Sequence, residues 1–344
     1  MKLREFLELR KTDGLFGVEL EIEGENLPDH LPAAWSLTQD GSLRGNFPTQ
    51  AAEYVMLKPM NLASANLNIK RLTDHLQEVG AKPLFSHRTS LHVHVNCQEL
   101  TWDEYSAFLY TSLLMERVLL NFCGQSRVGN RFCLRVTDAE GYLDDLRRLF
   151  KTGFRYFVGG GGNANKIKYS SINVAPSKEY GSVEFRGMRG TVDRQVITSW
   201  IEALNAIRSY AVALGSVEAV HSAFIKDDIH KFISDVLGAA YKDLSYNGME
   251  NDVRMCHSVL IELPYNVFKE QNEEVINKPP RIQDAYVQKN LNQFIIDDLA
   301  PAAPRNERFP RARFVPGADR GGVDPNMEMP RGNGLMVYDD GLDL

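Results

Sequence analysis

Apolar and polar positions alternate strictly near the start of the chain, where Val18, Leu20 and Ile22 fall between Glu19, Glu21 and Glu23. Neighbouring side chains of a strand point to opposite faces, so GVELEIEG (17–24) predicts a strand with aliphatics behind and three carboxylates in front. WSLTQDGSL (35–43) and AAEYVMLKP (51–59) predict two more extended segments joined by a polar connection containing Gly and Pro. The period then changes. Ala65, Ile69, Leu72, Leu76 and Val79 form one helical stripe that Gly80 closes. Alternation returns in SLHVHVNC (90–97), with Val93, Val95 and Cys97 on one face and His92, His94 and Asn96 on the other. Thr101 and Glu104 form a capping-box signature, and the helix they open is predicted to run to about Phe122. AEGYLDDLRRLF predicts another helix.

After four glycines at 159–162, KIKYSSINVAP and GSVEFRGM read as strands separated by the turn-rich SKEYG. The second alternates Val183 and Phe185 with Glu184 and Arg186. From Thr191 a long helix carries Val196, Trp200, Leu204, Ile207, Ala211 and Leu214 on one stripe and stops at Gly215. Further helices are predicted to about residue 298, interrupted by LPYN (263–266). From Pro301 the chain turns rich in Pro, Arg and Gly and poor in aliphatics. The expected organisation is a catalytic body over 1–300 and a disordered or loosely docked tail over 301–344. The fold class predicted is α+β, with mostly antiparallel strands and helices gathered on one face.

Composition narrows the function classes. At 344 residues and 43% hydrophobic the chain can bury a sizeable core. A net charge of −6 supplies no global basic field, so nucleic acid is not an expected partner. No segment is apolar enough to span a membrane, and MKLREFLELRKTDG lacks the apolar core of a secretory signal; a cytoplasmic location is expected. Cys97, Cys123, Cys133 and Cys256 contain no C-x-x-C pair and are read as reduced packing residues.

Three separated strands thus each carry an unusual polar face: Glu19, Glu21 and Glu23; His92, His94 and Asn96; Glu184 and Arg186. Carboxylates two apart on a strand stand about 7 Å from each other, and solvent, cationic side chains or a metal must relieve their repulsion. A solvated outer face gives the same alternation. If the three strands are neighbours, however, the acids and imidazoles face one cavity and form a site for divalent cations. Asp40 and Glu53 add oxygen ligands, and oxygen in excess of imidazole favours Mg²⁺ or Mn²⁺ over zinc. Mg²⁺ is commonly shared with substrate phosphates, for which Arg186 and Arg189 in EFRGMRG offer bidentate guanidinium groups. The glycines at 159–162 lack the setting of a P-loop and are read as a flexible loop. Arg127, Arg131 and Arg135 are either carboxylate binders or an exposed basic edge.

The ordered pieces GVELEIEG, DGSL, LHVHV, RVGNRFC, KYSSIN and GSVEFRGMRGT, spread over roughly residues 15 to 215, resemble the phage and bacterial amidoligase family of the glutamine synthetase and glutamate–cysteine ligase superfamily. The resemblance implies a curved antiparallel sheet backed by helices. It implies that Glu19 and Glu21 ligate two different divalent ions, that Glu53 completes one site, and that His92 and Glu184 complete the other. Arg186 matches the γ-phosphate contact, with Glu184 and Arg189 beside it in the catalytic group. His94, Lys168 and Asn173 are placed toward the nucleotide, and Asp40, Arg131 and Tyr169 line the site. Glu23 is an extra acid, read as solvated at the strand end.

The implied reaction joins a carboxylate to an amine on small-molecule or peptide substrates, with ATP and two or more Mg²⁺ or Mn²⁺ ions, through an acyl phosphate. Two other readings fit the same residues. One is a zinc hydrolase built on His92, His94 and an acid; the other is a non-catalytic, virion-associated or binding protein that keeps the sheet.

Overall fold

The alternation at 17–24 is realised as β1 (Phe16–Glu25), the centre of an open sheet in a computed structural model that describes residues 1–38, 41–43, 45, 50–139, 141–158 and 168–264. The other strands are β2 (Trp35–Thr38), β3 (Gln50–Met56), β4 (Lys82–Leu84), β5 (Ser90–Asn96), β6 (Ile172–Asn173) and β7 (Ser182–Arg189). Their order is β2-β3-β1-β5-β7-β6, with β4 added to β1 beyond the end of β5. Every named pair is antiparallel. Asp40, the glycines at 159–162 and the tail from 301 lie outside the described residues.

One face of the sheet is apolar. Val18, Leu20, Ile22, Val93, Val95, Val183 and Phe185 are each at most 2% exposed, which satisfies the aliphatic half of the sequence pattern. Against this face pack α1 (Leu62–Glu78), α2 (Trp102–Leu114), α3 (Glu116–Cys123) and α5 (Arg194–Leu214), with α4 (Tyr142–Thr152) at the side. The Phe185 ring lies 6.0 Å from Phe108 of α2 and 6.5 Å from Trp200 of α5, so one strand residue joins both helices to the sheet. Burying a side chain of this size contributes about 1.5–3 kcal/mol. The helices α6 (Val217–Lys226), α7 (Ile229–Leu237) and α8 (Met249–Leu260) extend the same layer. This is the α+β architecture that the sequence predicts. No helix among the described residues is long and apolar enough to cross a membrane. All four cysteines are buried and free.

Two elements differ from expectation. The helix predicted to run to Phe122 starts on its capping box, with Thr101 accepting from Glu104 N and Glu104 from Thr101 N, but it breaks at Met115. The break turns Glu116 inward, where its carboxyl accepts from Val136 N at 3.0 and 3.1 Å and from the Ser171 hydroxyl. Among the described residues of KIKYSSINVAP only Ile172–Asn173 is a strand, and Ala175–Ser177 coils into a 3-10 turn around Pro176, which cannot donate to a ladder.

Glu116 has a stability consequence. Complete burial pushes its carboxyl up to about 7, against the smaller opposing effect of its donors Ser171 and Val136. Its folded value exceeds its unfolded value of 4.5, so the unfolded chain releases the proton first as pH rises. Stability is therefore expected to fall by about 3 kcal/mol between pH 4.5 and 7 on this account, at 1.36 kcal/mol per unit. Urea titrations of wild type and Glu116→Gln across that range test it: the difference between the two should change with pH, and a constant difference would refute it.

Candidate active site

The sheet register decides which polar residues meet. Glu19 is opposite His92, Glu21 is opposite Glu53, and His94 is opposite Glu184. The three polar faces are therefore adjacent, although their residues are far apart in the chain. His92 Nδ1 lies 3.2 Å from a Glu19 oxygen and 3.4 Å from a Glu184 oxygen, while its Nε2 is 3.6 Å from Glu21. His94 Nε2 lies 3.2 Å from the other Glu19 oxygen. One donor atom each from Glu19, His94 and Glu184 fall within 4.8 Å of one another, a spacing that suits a shared cation. Glu53 is held by the Thr38 hydroxyl at 2.5 Å.

Further side chains orient this group. Ser90 bonds Glu21 and lies 2.8 Å from His92 Nε2. Ser182 lies 3.1 Å from His94 Nδ1, and Asn173 donates to Glu184 at 2.7 Å. Ser90 and Ser182 were not singled out from the sequence, yet each stands two residues before a selected residue, His92 and Glu184, and so shares its face.

Arg186 bonds Glu184 through one Nη, and its buried Nε has no hydrogen-bond partner. Buried donors are nearly always satisfied, so this guanidinium edge can take a further acceptor. Its position depends on a β-bulge: Leu91 pairs with Met188 and Val93 with Phe185, leaving His92 opposite both Arg186 and Gly187. Arg189 does not join the acids: it donates to the carbonyls of Phe122 and Cys123 at 3.2 and 3.1 Å. There it caps the C-terminus of α3 beside Gly124, whose φ of +99° L side chains rarely adopt and where a Cβ would stand 3.2 Å from Arg189 Nη1.

Arg127 is neither a basic edge nor a surface carboxylate binder. It is 1% exposed, and it donates to the carbonyls of Gly187 and Arg186 at 2.9 Å each and to Thr89 and His87 at 3.4 and 3.5 Å. Arg135 pairs with Asp138 at 2.7 Å. Glu23 is 9% exposed rather than solvated, because Leu84 of β4 pairs across from it. Arg131, Lys168 and Tyr169 lie on two loops joined by the Leu134 N bond to the Tyr169 carbonyl at 2.8 Å.

Electrostatics inside the group are strongly coupled. Burial alone would raise Glu19, but hydrogen bonds from His92 and His94 hold it well below the carboxylate range. Burial would likewise raise Glu184; the charges of Arg186, His92 and His94 bring it down. His94 is raised, since Glu19 and Glu184 outweigh its desolvation. The two acids are thus held as carboxylates, the form that ligates cations.

At the other end of β1 a cavity of about 300 Å³ opens, lined by Val55, Met56, Lys58, Asn96 and Tyr180 and reaching Glu19 and His94. Gly17, opposite His94, keeps that space open. A larger hollow of about 580 Å³ lies between α1 and the start of α5 and touches none of these residues.

An open antiparallel sheet with helices on its apolar face and acid, imidazole and guanidinium side chains gathered on its polar face defines an α+β protein. The chain belongs to the family described as "Putative amidoligase enzyme", whose model matches residues 32–208, just over half of its length. It is a ligase-type enzyme of that family. No curated protein matches the chain.

Proposed function

We propose that the chain is an ATP- and Mg²⁺- or Mn²⁺-dependent carboxylate–amine ligase that works through an acyl phosphate. The observation that carries this reading is the group of half-buried Glu19 and His94 and buried Glu184 beside an Arg186 whose Nε lacks a partner. The carboxylates and imidazole fit a divalent ion, and the orphaned guanidinium edge fits a phosphate oxygen. Glu19, Glu21, Glu53, His92, His94 and Glu184 would hold metal. An ion bound there would neutralise phosphate charge and supply Lewis acidity.

In the reaction the substrate carboxylate attacks the γ-phosphorus of ATP and ADP leaves. The amine then attacks the acyl carbon, and inorganic phosphate leaves with the amide formed and the amine proton released. Arg186 binds the transferring phosphoryl group, and Asn173 and Ser182 fix the orientations of Glu184 and His94. No side chain acts as a nucleophile. The largely apolar lining of the 300 Å³ cavity, with Lys58 beside it, would suit a nucleoside with ATP at the Gly17 end.

The test is ADP release with Mg²⁺ over a panel of amino acids, polyamines and peptides. Release that requires both metal and an acceptor pair supports the ligase; stoichiometric metal binding with no nucleotide binding would sink it. One tightly bound zinc per chain, found by metal analysis, would support the hydrolase instead.

A further inference from the structure

The polar row of β5 continues past the end of the strand. His92, His94 and Asn96 are followed at the same spacing by Gln98, whose polar side chain is nevertheless only 2% exposed. Its Oε1 accepts from Thr12 N at 2.8 Å. Its Nε2 lies 3.0 Å from the Tyr180 carbonyl, 3.2 Å from the Arg10 carbonyl and 3.3 Å from the Thr12 hydroxyl. The Thr12 N–H needs an acceptor, so the amide oxygen faces it and the two amide N–H groups face the other three atoms. One buried side chain thus ties together two segments that belong to no strand, the chain before β1 and the turn before β7.

Both segments are fitted closely to their surroundings. Asn96 donates to the Gly14 and Thr12 carbonyls at 2.7 and 3.1 Å. A Cβ on Gly14 would lie 1.8 Å from the Pro59 carbonyl oxygen, so only glycine lets the chain pass there. In the other segment the Gly181 carbonyl accepts from Cys97 N at 2.8 Å. Gly181 has a φ of +69°, and a Cβ on it would stand 2.5 Å from Gln98 Cγ. The missing side chain is the space that the Gln98 stem occupies.

Thr12, Pro59 and Tyr180 are walls of the 300 Å³ cavity that reaches Glu19 and His94. Gly17, Glu19 and His94 are placed by the sheet ladder, but Thr12 and Tyr180 are not; Gln98 holds them instead. A neutral amide does so without bringing a further charge to the cavity that Glu19 and His94 share. We propose that Gln98 is a positioning residue for the ligand of this cavity: by fixing Thr12 and Tyr180 it sets the affinity for the nucleoside part of ATP. This rests on the ligase reading and on its nucleotide. Walls held in place before binding add affinity because the ligand does not have to order them.

The experiment uses the full chain and three variants. Gln98→Met keeps the length of the side chain and removes its amide, and Gly181→Ala displaces that amide with a Cβ. Gly215→Ala is the control, at a glycine of φ +76° outside the cavity. ADP and pyrophosphate with Mg²⁺, and Mn²⁺ alone, are titrated by calorimetry. Gln98→Met and Gly181→Ala are expected to bind ADP about tenfold or more weakly, with pyrophosphate and Mn²⁺ changed less than about twofold and Gly215→Ala changing none of the three. A merely structural loss would lower all three together, since each needs the same folded sheet. ADP affinity within about twofold of wild type in Gln98→Met, or in Gly181→Ala should Gln98→Met not fold, overturns the proposal and leaves the ligase reading intact. ADP and pyrophosphate weakening together also overturns it, since Gln98 would then act on the sheet centre and not on the nucleoside. A wild-type chain that binds Mn²⁺ but not ADP removes the nucleotide, and with it both the ligase reading and the proposal.

Discussion

A Glu184→Gln enzyme is expected to release ADP about 10²–10³-fold more slowly than wild type at saturating Mg²⁺ and ATP, the range found when one preorganised charge-stabilising group is lost. Glutamine keeps the shape and one acceptor oxygen, so the Asn173 bond at 2.7 Å survives in kind. The charge does not survive. The donor set of Glu19, His94 and Glu184 loses one of its two carboxylates, and Arg186 loses the partner that fixes its Nη. Loss of the Glu184 charge also removes one of the influences that raise His94, whose imidazole is expected to titrate lower in the variant by NMR. Stability should respond to pH with a defined sign. Glu184 is held below its unfolded value of 4.5, so its contribution is complete above that value and is lost as pH falls below it; the variant lacks this dependence. ADP release within threefold of wild type, with an unchanged urea midpoint, would remove Glu184 from the centre.

Much of that centre was legible because a strand face has a period of two. The same rule that put Val18, Leu20 and Ile22 into the core put Glu19 and Glu21 opposite them, and it works for His92 and Glu184. What the rule does not supply is register between strands distant in sequence, which here sets Glu19 against His92 and His94 against Glu184. The bulge was not legible either. Unbroken alternation through EFRGMR would carry Glu184, Arg186 and Met188 on one face; instead the extra residue turns Met188 to Leu91 in the core. Glu23 shows a further limit: as a strand-end acid it reads as solvated, whereas the short β4, whose KPL has little strand signal, pairs beside it. Helix ends fared better where local chemistry decides them, at Thr101 and Gly215, than at Met115, where the buried bonds of Glu116 interrupt an apolar run.

Arg127 carries the second large effect, and it acts on the geometry rather than on the chemistry. A guanidinium that is 1% exposed and bonded to main-chain carbonyls of His87, Thr89, Arg186 and Gly187 is the tie between the bulge of β7 and the turn before β5. A cation with five donors in a planar fork can serve four carbonyls at once, of which Thr89 also accepts from Gly190 N at 3.2 Å and His87 from Asn130 at 2.8 Å. Replacing it by methionine fills part of the volume and takes the 2.9 Å donors from the carbonyls of Arg186 and Gly187, at about 1–3 kcal/mol each before relaxation. A net loss of about 3–5 kcal/mol is expected, because the desolvation cost of the guanidinium is recovered at the same time. Arg127→Lys should lie between, since three donors on one tetrahedral nitrogen cannot span the fork. The folded Lys variant should also bind phosphate-bearing ligands more weakly, because Arg186 extends from the bulge that is no longer clamped. Urea midpoints rank the three proteins, and pyrophosphate titration of the folded ones reads the site. Unchanged midpoints in Arg127→Met would show that the bulge holds without its tie, and Arg186 would then owe its position to Glu184 alone.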